Sequence, residues 1–194
     1  MTKTENPNGS LLNIAAFLPV SYSNGPGRRA VVWVQGCSRN CYGCFNQEMR
    51  PFINKELIAV QELAERILAI EDIEGVTFSG GEPFEQAKPL AELAERLANR
   101  GLTIVIFTGY TAPELADGNN PDWQRLLAAA DLLVAGPYEQ DLPAQDYLRT
   151  SANQQLLFVS DRLKQHPDIS RGQTAEIIVD TTGRVIVTGF AKFF

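Results

Sequence analysis

The sequence predicts an α/β protein, an open partial (β/α) barrel with a mostly parallel sheet, plus a C-terminal β-hairpin. Three observations carry this. Short apolar runs alternate with amphipathic helical stretches from residue 30 to residue 135, the order that builds parallel sheets. These units are too few for the eight of a closed barrel. Residues 175–188 hold two apolar runs around Thr182-Gly183, a hairpin pattern.

The elements follow in order. Leu11 to Val20 is apolar and reads as a strand or sheet-edge segment, and Asn24-Gly25-Pro26-Gly27 is a turn by composition. Ala30 to Gln35, with Val31, Val32, Trp33 and Val34, suits a buried parallel strand. Asn54 is placed to cap a helix whose stripe is Leu57, Val60, Ala64, Ile67 and Leu68, with Glu62 and Arg66 paired on its other face. Gly75 marks the return into a second strand, Val76 to Ser79.

Gln86 to Arg100 predicts a helix facing inward with Leu90, Leu93, Ala94 and Leu97, with Glu92 and Arg96 paired outside and Gly101 at its end. Leu102 to Thr108 is a third strand. Thr111 with Glu114 forms a capping box, so a helix starts at Ala112, breaks over Asp117 to Pro121 and resumes at Asp122. Asp131 to Ala135 is a fourth strand. Residues 137–151, rich in Pro, Gln and Asp, read as a surface loop. Gln155 to Ser160 reads as a fifth strand, leading to a short helix before Pro167.

With 194 residues, one domain is expected, and 44% apolar residues suffice for a core. The net charge of −6 argues against a nucleic-acid partner. Met1 to Ser10 is polar and lacks the apolar region of a signal peptide. No apolar run reaches the roughly 18 residues of a membrane span. Three cysteines fit a reducing compartment. The expectation is a soluble cytoplasmic protein without a membrane partner.

All three cysteines lie in one stretch, Cys37-x3-Cys41-x2-Cys44. Four-iron clusters are normally held by four cysteines, and the single histidine, His166, is far along the chain. The spacing therefore suggests a cluster with one iron free of protein ligand. Zinc remains an alternative, although structural zinc usually takes four protein ligands. A disulfide would leave one cysteine over. Downstream, Val76 to Ser79 runs into Gly80-Gly81-Glu82-Pro83. Glycines there admit close backbone approach, and Pro83 pushes Glu82 toward an extended conformation. Alone, that tetrapeptide is a turn.

Together, the cysteine stretch and Gly80-Gly81-Glu82-Pro83 resemble the radical S-adenosylmethionine (SAM) superfamily. Asn24-Gly25-Pro26-Gly27 with Arg29, Thr108-Gly109-Tyr110, Gly136-Pro137-Tyr138 and Ser151-Ala152-Asn153-Gln154 narrow the resemblance to the small glycyl-radical activating enzymes. In order and spacing they are similar to the activating component of anaerobic ribonucleoside-triphosphate reductase. The resemblance covers a core of about residues 20–160 of a single radical SAM domain, 1–194, with a C-terminal extension of about 161–194.

The resemblance implies a [4Fe-4S] cluster on Cys37, Cys41 and Cys44, with SAM chelating the open iron and Gly80, Gly81 and Glu82 receiving its amino end. It implies reductive cleavage of SAM to a 5′-deoxyadenosyl radical. The implied partners are a large glycyl-radical enzyme and a reduced flavodoxin- or ferredoxin-type electron donor. It also places the Asn24–Gly27 loop near the cluster. Thr108 is placed to touch SAM or to satisfy its hydroxyl locally. Tyr42 and Phe45 read as shields for the site or as ordinary packing. His166 reads as a surface residue, and Trp33 and Trp123 as core or helix-face aromatics. No side-chain acid or base is expected in catalysis.

The chain departs from the family's pattern at Gly43, Ala135, Thr150 and Met49-Arg50-Pro51, and its hairpin lies beyond the shortest members. These departures bear on the substrate. Two alternatives follow: a radical SAM enzyme acting on a peptide or small molecule, and a non-catalytic iron–sulfur electron-transfer protein.

Overall fold

The computed structural model describes residues 10–117, 119–179, 182, 183 and 185–189. Residues 1–9 of the polar N-terminal segment and 190–194 of the extension lie outside them. The strands are β1 (Leu11–Ser21), β2 (Arg29–Val34), β3 (Glu56–Ala59), β4 (Gly75–Gly80), β5 (Thr103–Thr108), β6 (Leu132–Ala135), β7 (Gln155–Phe158), β8 (Ala175–Val179) and β9 (Val185–Gly189). The helices are α1 (Val60–Leu68), α2 (Ala87–Ala98), α3 (Ala112–Asp117) and α4 (Pro121–Ala129).

Seven strands form one sheet in the order β3-β1-β2-β4-β5-β6-β7. Its centre, β2-β4-β5-β6, is parallel. β1 and β7 flank that centre antiparallel, and β3 at the edge pairs antiparallel with β1. β8 and β9 form the separate hairpin expected at the C-terminus. Among the described residues no helix is long and apolar enough to cross a membrane.

Strand side chains alternate between two faces. On one face Val32, Val34, Val76, Phe78, Ile104 and Ile106 meet Leu63, Ile67, Leu90, Leu93, Leu97 and Leu126 from α1, α2 and α4. Each such fully buried side chain contributes about 1.5–3 kcal/mol. Among the described residues the other face carries no α-helix. Val105, Leu132 and Val134 are instead covered by Tyr147, Leu148 and Leu163 from the connections after β6 and β7. The rest of that face lines a cavity.

This second layer corrects the surface-loop expectation for residues 137–151. Their polar composition hides Tyr147, fully buried, and Leu148. The Tyr147 hydroxyl donates to the carbonyls of Tyr22 and Gly25.

Three other expectations change. Asn54 caps no helix: Glu56–Ala59 is an edge strand paired with β1, and α1 begins at Val60 behind Ala59. Satisfying the backbone of β1 outweighs the helical spacing of Leu57 and Val60. Arg66 reaches Glu56 at 3.9 Å and lies over the Phe17 ring, in place of the expected Glu62 pair. No helix precedes Pro167; residues 162–165 form turns, and Pro167 instead opens a 3₁₀ turn, Pro167–Ser170. Proline favours a helix's first position because it has no N–H to lose.

Arg29 is fully buried at the amino ends of the parallel strands. Its guanidinium donates to Pro26 O (2.8 Å), Val76 O (3.3 Å), Thr77 Oγ1 (3.4 Å) and Thr103 Oγ1 (3.1 Å). Burial pulls its pKa down to about 10, against the pull of Tyr147, Glu74, Asp131 and Asp168. It stays charged at neutral pH and laces the loop before β2 to β4 and β5. Arg29→Met leaves these acceptors buried without donors, so a loss of about 2–4 kcal/mol is expected. Urea unfolding of the metal-free chain checks it; a midpoint equal to that of the parent refutes it.

Candidate active site

The site lies where the parallel strands end. β2 leads through Gln35 to Gly36, β4 ends at Gly80-Gly81, β5 at Gly109 and β6 at Gly136. The cysteine stretch leaves β2 as a loop tied at its neck. Gly36 N donates to Met49 O (2.8 Å) and Cys37 N to Arg50 O (2.9 Å). Sites in α/β proteins sit beyond the carboxyl ends of parallel strands for this topological reason.

Cys37, Cys41, Cys44, Gly80, Gly81, Glu82 and Thr108 all line one cavity of about 460 Å³. That volume lies in the range of roughly 300–1,000 Å³ typical of cofactor sites. The cavity runs from the thiols past Trp33, Ser79 and Phe107 to Asn24 and the hairpin residues Ile186–Gly189. Trp33 is thus a wall of the cavity and not a core residue.

The Gly80–Glu82 turn is held by its backbone. Gly81 N donates to Val34 O (2.8 Å), and Glu82 N to Gly36 O (2.9 Å). Gly80 has φ +104, a left-handed conformation suited to glycine. A Cβ built at Gly81 would lie 2.3 Å from Gly36 O and 2.9 Å from Met49 O. The turn and the cluster loop therefore touch backbone to backbone. Asn46 Nδ2 adds a bond to Gly80 O at 3.1 Å. The sequence reading passed over Asn46, although it follows closely on the third cysteine.

Glu82 is extended, as Pro83 requires, with φ −125 and ψ 113. Its buried carboxylate accepts from Phe84 N (3.1 Å), Thr108 Oγ1 (2.8 Å) and Gly109 N (2.8 Å). So Thr108 satisfies its hydroxyl on Glu82, and the two residues join the ends of β4 and β5. Burial raises the Glu82 carboxyl from 4.5 to about 7, against the pull of those three bonds.

Because the folded value lies above the ordinary one, Glu82's contribution to stability is complete below pH 4.5 and is lost as pH rises through about 7. Glu82→Gln should flatten that fall in the metal-free chain. It should also cost about 1–3 kcal/mol at pH 5, where its amide N–H₂ opposes a donor. Denaturant titrations at several pH values check both; an unchanged slope refutes the assignment.

The donor set fits an iron–sulfur cluster. The three thiols are free and half-buried in one cavity. Among the described residues no three His, Cys, Asp or Glu side chains converge on the position of a single metal ion. Three cysteines would each hold a separate iron of a cluster and leave the fourth open. Burial pushes the Cys37 thiol up to about 11, with Glu82, Cys44 and Cys41 adding to the rise. Metal loading must therefore expel its proton. His166 is no fourth ligand. Partly buried at the opposite end of the strands, it accepts from Asp168 N (3.2 Å), and its Nε2 lies 3.4 Å from Glu74.

The cluster loop is braced from outside. Arg39 pairs with Glu114 (2.8 Å) and lies 4.8 Å over the Tyr110 ring. Tyr110 packs on Trp123 (4.6 Å), which donates to Phe84 O. The expected Thr111–Glu114 capping box forms in both directions. Tyr42 and Phe45 are exposed, and Phe45 stacks at 4.8 Å on Tyr138.

Two motif segments have structural duties. Gln154 accepts from Thr150 N and Ser151 N and donates to Gly136 O, while Asn153 donates to Pro137 O, fixing the exit of β6. The Asn24–Gly27 loop lies at the amino end of β2, opposite the cysteines, because it precedes that strand. Its contact with the site is Asn24 on the far cavity wall.

A parallel-centred α/β sheet with three free thiols facing a glycine-rich turn defines a radical SAM iron–sulfur enzyme. The family of the 4Fe-4S single cluster domain matches residues 23–157. The chain is 30% identical over 162 residues to the anaerobic ribonucleoside-triphosphate reductase-activating protein of Enterobacteria phage T4, covering 80% of this chain and 99% of that one. It is 34% identical to the protein of that name from Vibrio cholerae, over 74% of this chain and 96% of the other. A putative glycyl-radical enzyme activating enzyme of Haemophilus influenzae is 39% identical over 45% of this chain and 34% of its own. QueE from Escherichia coli, a solved structure, aligns over 52% of this chain at 19% identity and a TM-score of 0.42, too partial an overlap to define the shape of the sheet.

The chain belongs to the single-cluster 4Fe-4S family, among the glycyl-radical activating enzymes that use a [4Fe-4S] cluster and SAM.

Proposed function

We propose that this chain generates a glycyl radical on a large partner enzyme, such as an anaerobic ribonucleoside-triphosphate reductase. The observation that carries the reading is the shared cavity of Cys37, Cys41, Cys44 and the Gly80–Glu82 turn. Its relatives in phage T4 and Vibrio cholerae are named for activating that reductase.

In this reading the three cysteines hold the cluster. When bound, the reduced cluster supplies the electron that cleaves SAM to methionine and a 5′-deoxyadenosyl radical. The backbone of Gly80, Gly81 and Glu82 receives the amino end of SAM. Thr108 and the Glu82 side chain position that backbone. Trp33, Ser79 and Phe107 wall the space in which the target C–H would be held, where geometry decides specificity. A reduced flavodoxin- or ferredoxin-type protein supplies the electron. The whole chain works as one domain whose sheet curves as a partial barrel around the cavity.

Anaerobic reconstitution with iron, sulfide, SAM, dithionite and the reductase tests the proposal. Electron paramagnetic resonance should show a glycyl radical, with release of 5′-deoxyadenosine. Release without a radical on the reductase would favour a peptide or small-molecule substrate. No release from a cluster-loaded sample would favour an electron-transfer protein.

A further inference from the structure

The hairpin lies beyond the family match, which ends at residue 157, and outside the seven-stranded sheet. Polar bonds fasten its inner face to the body. The Glu176 carboxylate accepts from Tyr22 N (2.9 Å), Ser23 N (3.1 Å), Ser23 Oγ (2.8 Å) and Ser21 Oγ. Asn24 Nδ2 donates to Thr188 Oγ1 at 2.9 Å. Seated this way, Ile186–Gly189 wall the end of the cavity remote from the cysteines.

The outer face is apolar. Ile177 pairs across with Val187 and Val179 with Val185. These four side chains are 61%, 57%, 63% and 56% exposed, in that order. Contiguous exposed apolar side chains mark interaction surfaces. Val187 belongs both to this patch and to the cavity wall. A chain that enters the cavity past the hairpin therefore runs over the patch. Abstraction from a glycine requires a polypeptide segment in that cavity, and the inner face of the hairpin, with Glu176, Ile178, Ile186 and Thr188, is already turned to the body and partly buried.

We propose that the outer face of the C-terminal hairpin docks the substrate protein, through an extended apolar segment beside the one that enters the cavity. The pleated row of β-branched side chains suits an extended partner. This proposal rests on the activating function given above.

The test uses the full chain carrying Ile177→Lys and Val179→Lys together. Both side chains are exposed and neither lines the cavity. Circular dichroism, iron–sulfur loading and dithionite-driven 5′-deoxyadenosine release without partner should stay at parental levels. Binding to purified anaerobic ribonucleoside-triphosphate reductase of the same organism should weaken about tenfold or more. Glycyl radical yield at limiting concentration should fall in parallel and recover at high concentration.

Unchanged binding and radical yield would overturn the hairpin proposal and leave the activating function standing. If the parent chain releases 5′-deoxyadenosine yet forms no radical on the reductase, the activating function falls and the docking proposal with it. If the parent sediments as a dimer, and the double variant as a monomer that still binds the reductase normally, the face joins two copies of this chain and the proposal is wrong.

Discussion

Cys41→Ala is expected to lose both the iron–sulfur absorption band and the release of 5′-deoxyadenosine. Two thiolates cannot hold a cluster in one orientation, and the cofactor cradle sits against the same loop. Cys41 lines the inner cavity and also the outer groove beside Tyr138 and Gln140. Removing its side chain would widen the passage between the two. The fold should survive, because no cysteine belongs to either core cluster. The loop neck is also closed by backbone bonds from Gly36 and Cys37, which no side chain supplies. Anaerobic reconstitution followed by absorbance, product chromatography and circular dichroism reads all three. A full cluster with undiminished 5′-deoxyadenosine in this variant would reject the assignment of the cysteines.

Gly81→Leu is the second large effect. Its Cβ would stand 2.3 Å from Gly36 O and 2.9 Å from Met49 O, both backbone atoms of the cluster-loop neck. Neither can swing aside as a flexible side chain could. The thiols are untouched, so an iron–sulfur band should remain. The turn and the loop must part, and SAM affinity should fall about 100-fold, a loss of about 2.8 kcal/mol. Glu82→Gln should do less to SAM binding, since it disturbs a side-chain brace and leaves the turn's backbone in place. Equilibrium binding of SAM to the reconstituted variants ranks them. Parental affinity in Gly81→Leu would refute the cradle.

What the sequence revealed followed from local chemistry. Apolar runs marked β2, β4, β5 and β6, and Thr111 with Glu114 marked the start of α3. The cysteines and Gly80–Glu82 do meet in one cavity. What it concealed depended on distant partners. Glu56–Ala59 becomes a strand only because β1 offers an edge. Tyr147 is buried because, among the described residues, one sheet face carries no α-helix, a fact that no window of sequence contains. Thr108 could be placed at a strand end, but its bond to Glu82 spans 26 residues. Arg29 stands in the sequence only as a motif residue after a turn, and it is a buried cation with partners on β4 and β5.

The glycines that end β2, β4, β5 and β6 bear on how such a site is found by mutagenesis. Truncation to alanine asks what is lost when atoms are taken away, and along this rim there is almost nothing to take. A scan that leaves glycines out would report the cysteines, Glu82 and Thr108 and pass over the glycine rim between them. Adding one methyl group at a time reverses the map. At Gly80 the new Cβ would sit 2.6 Å from Val34 N, against an immovable strand, whereas at Gly109 it would meet the Arg39 side chain at 3.2 Å. The first addition should be refused and the second accommodated, so the rim would be charted by what it has no room for.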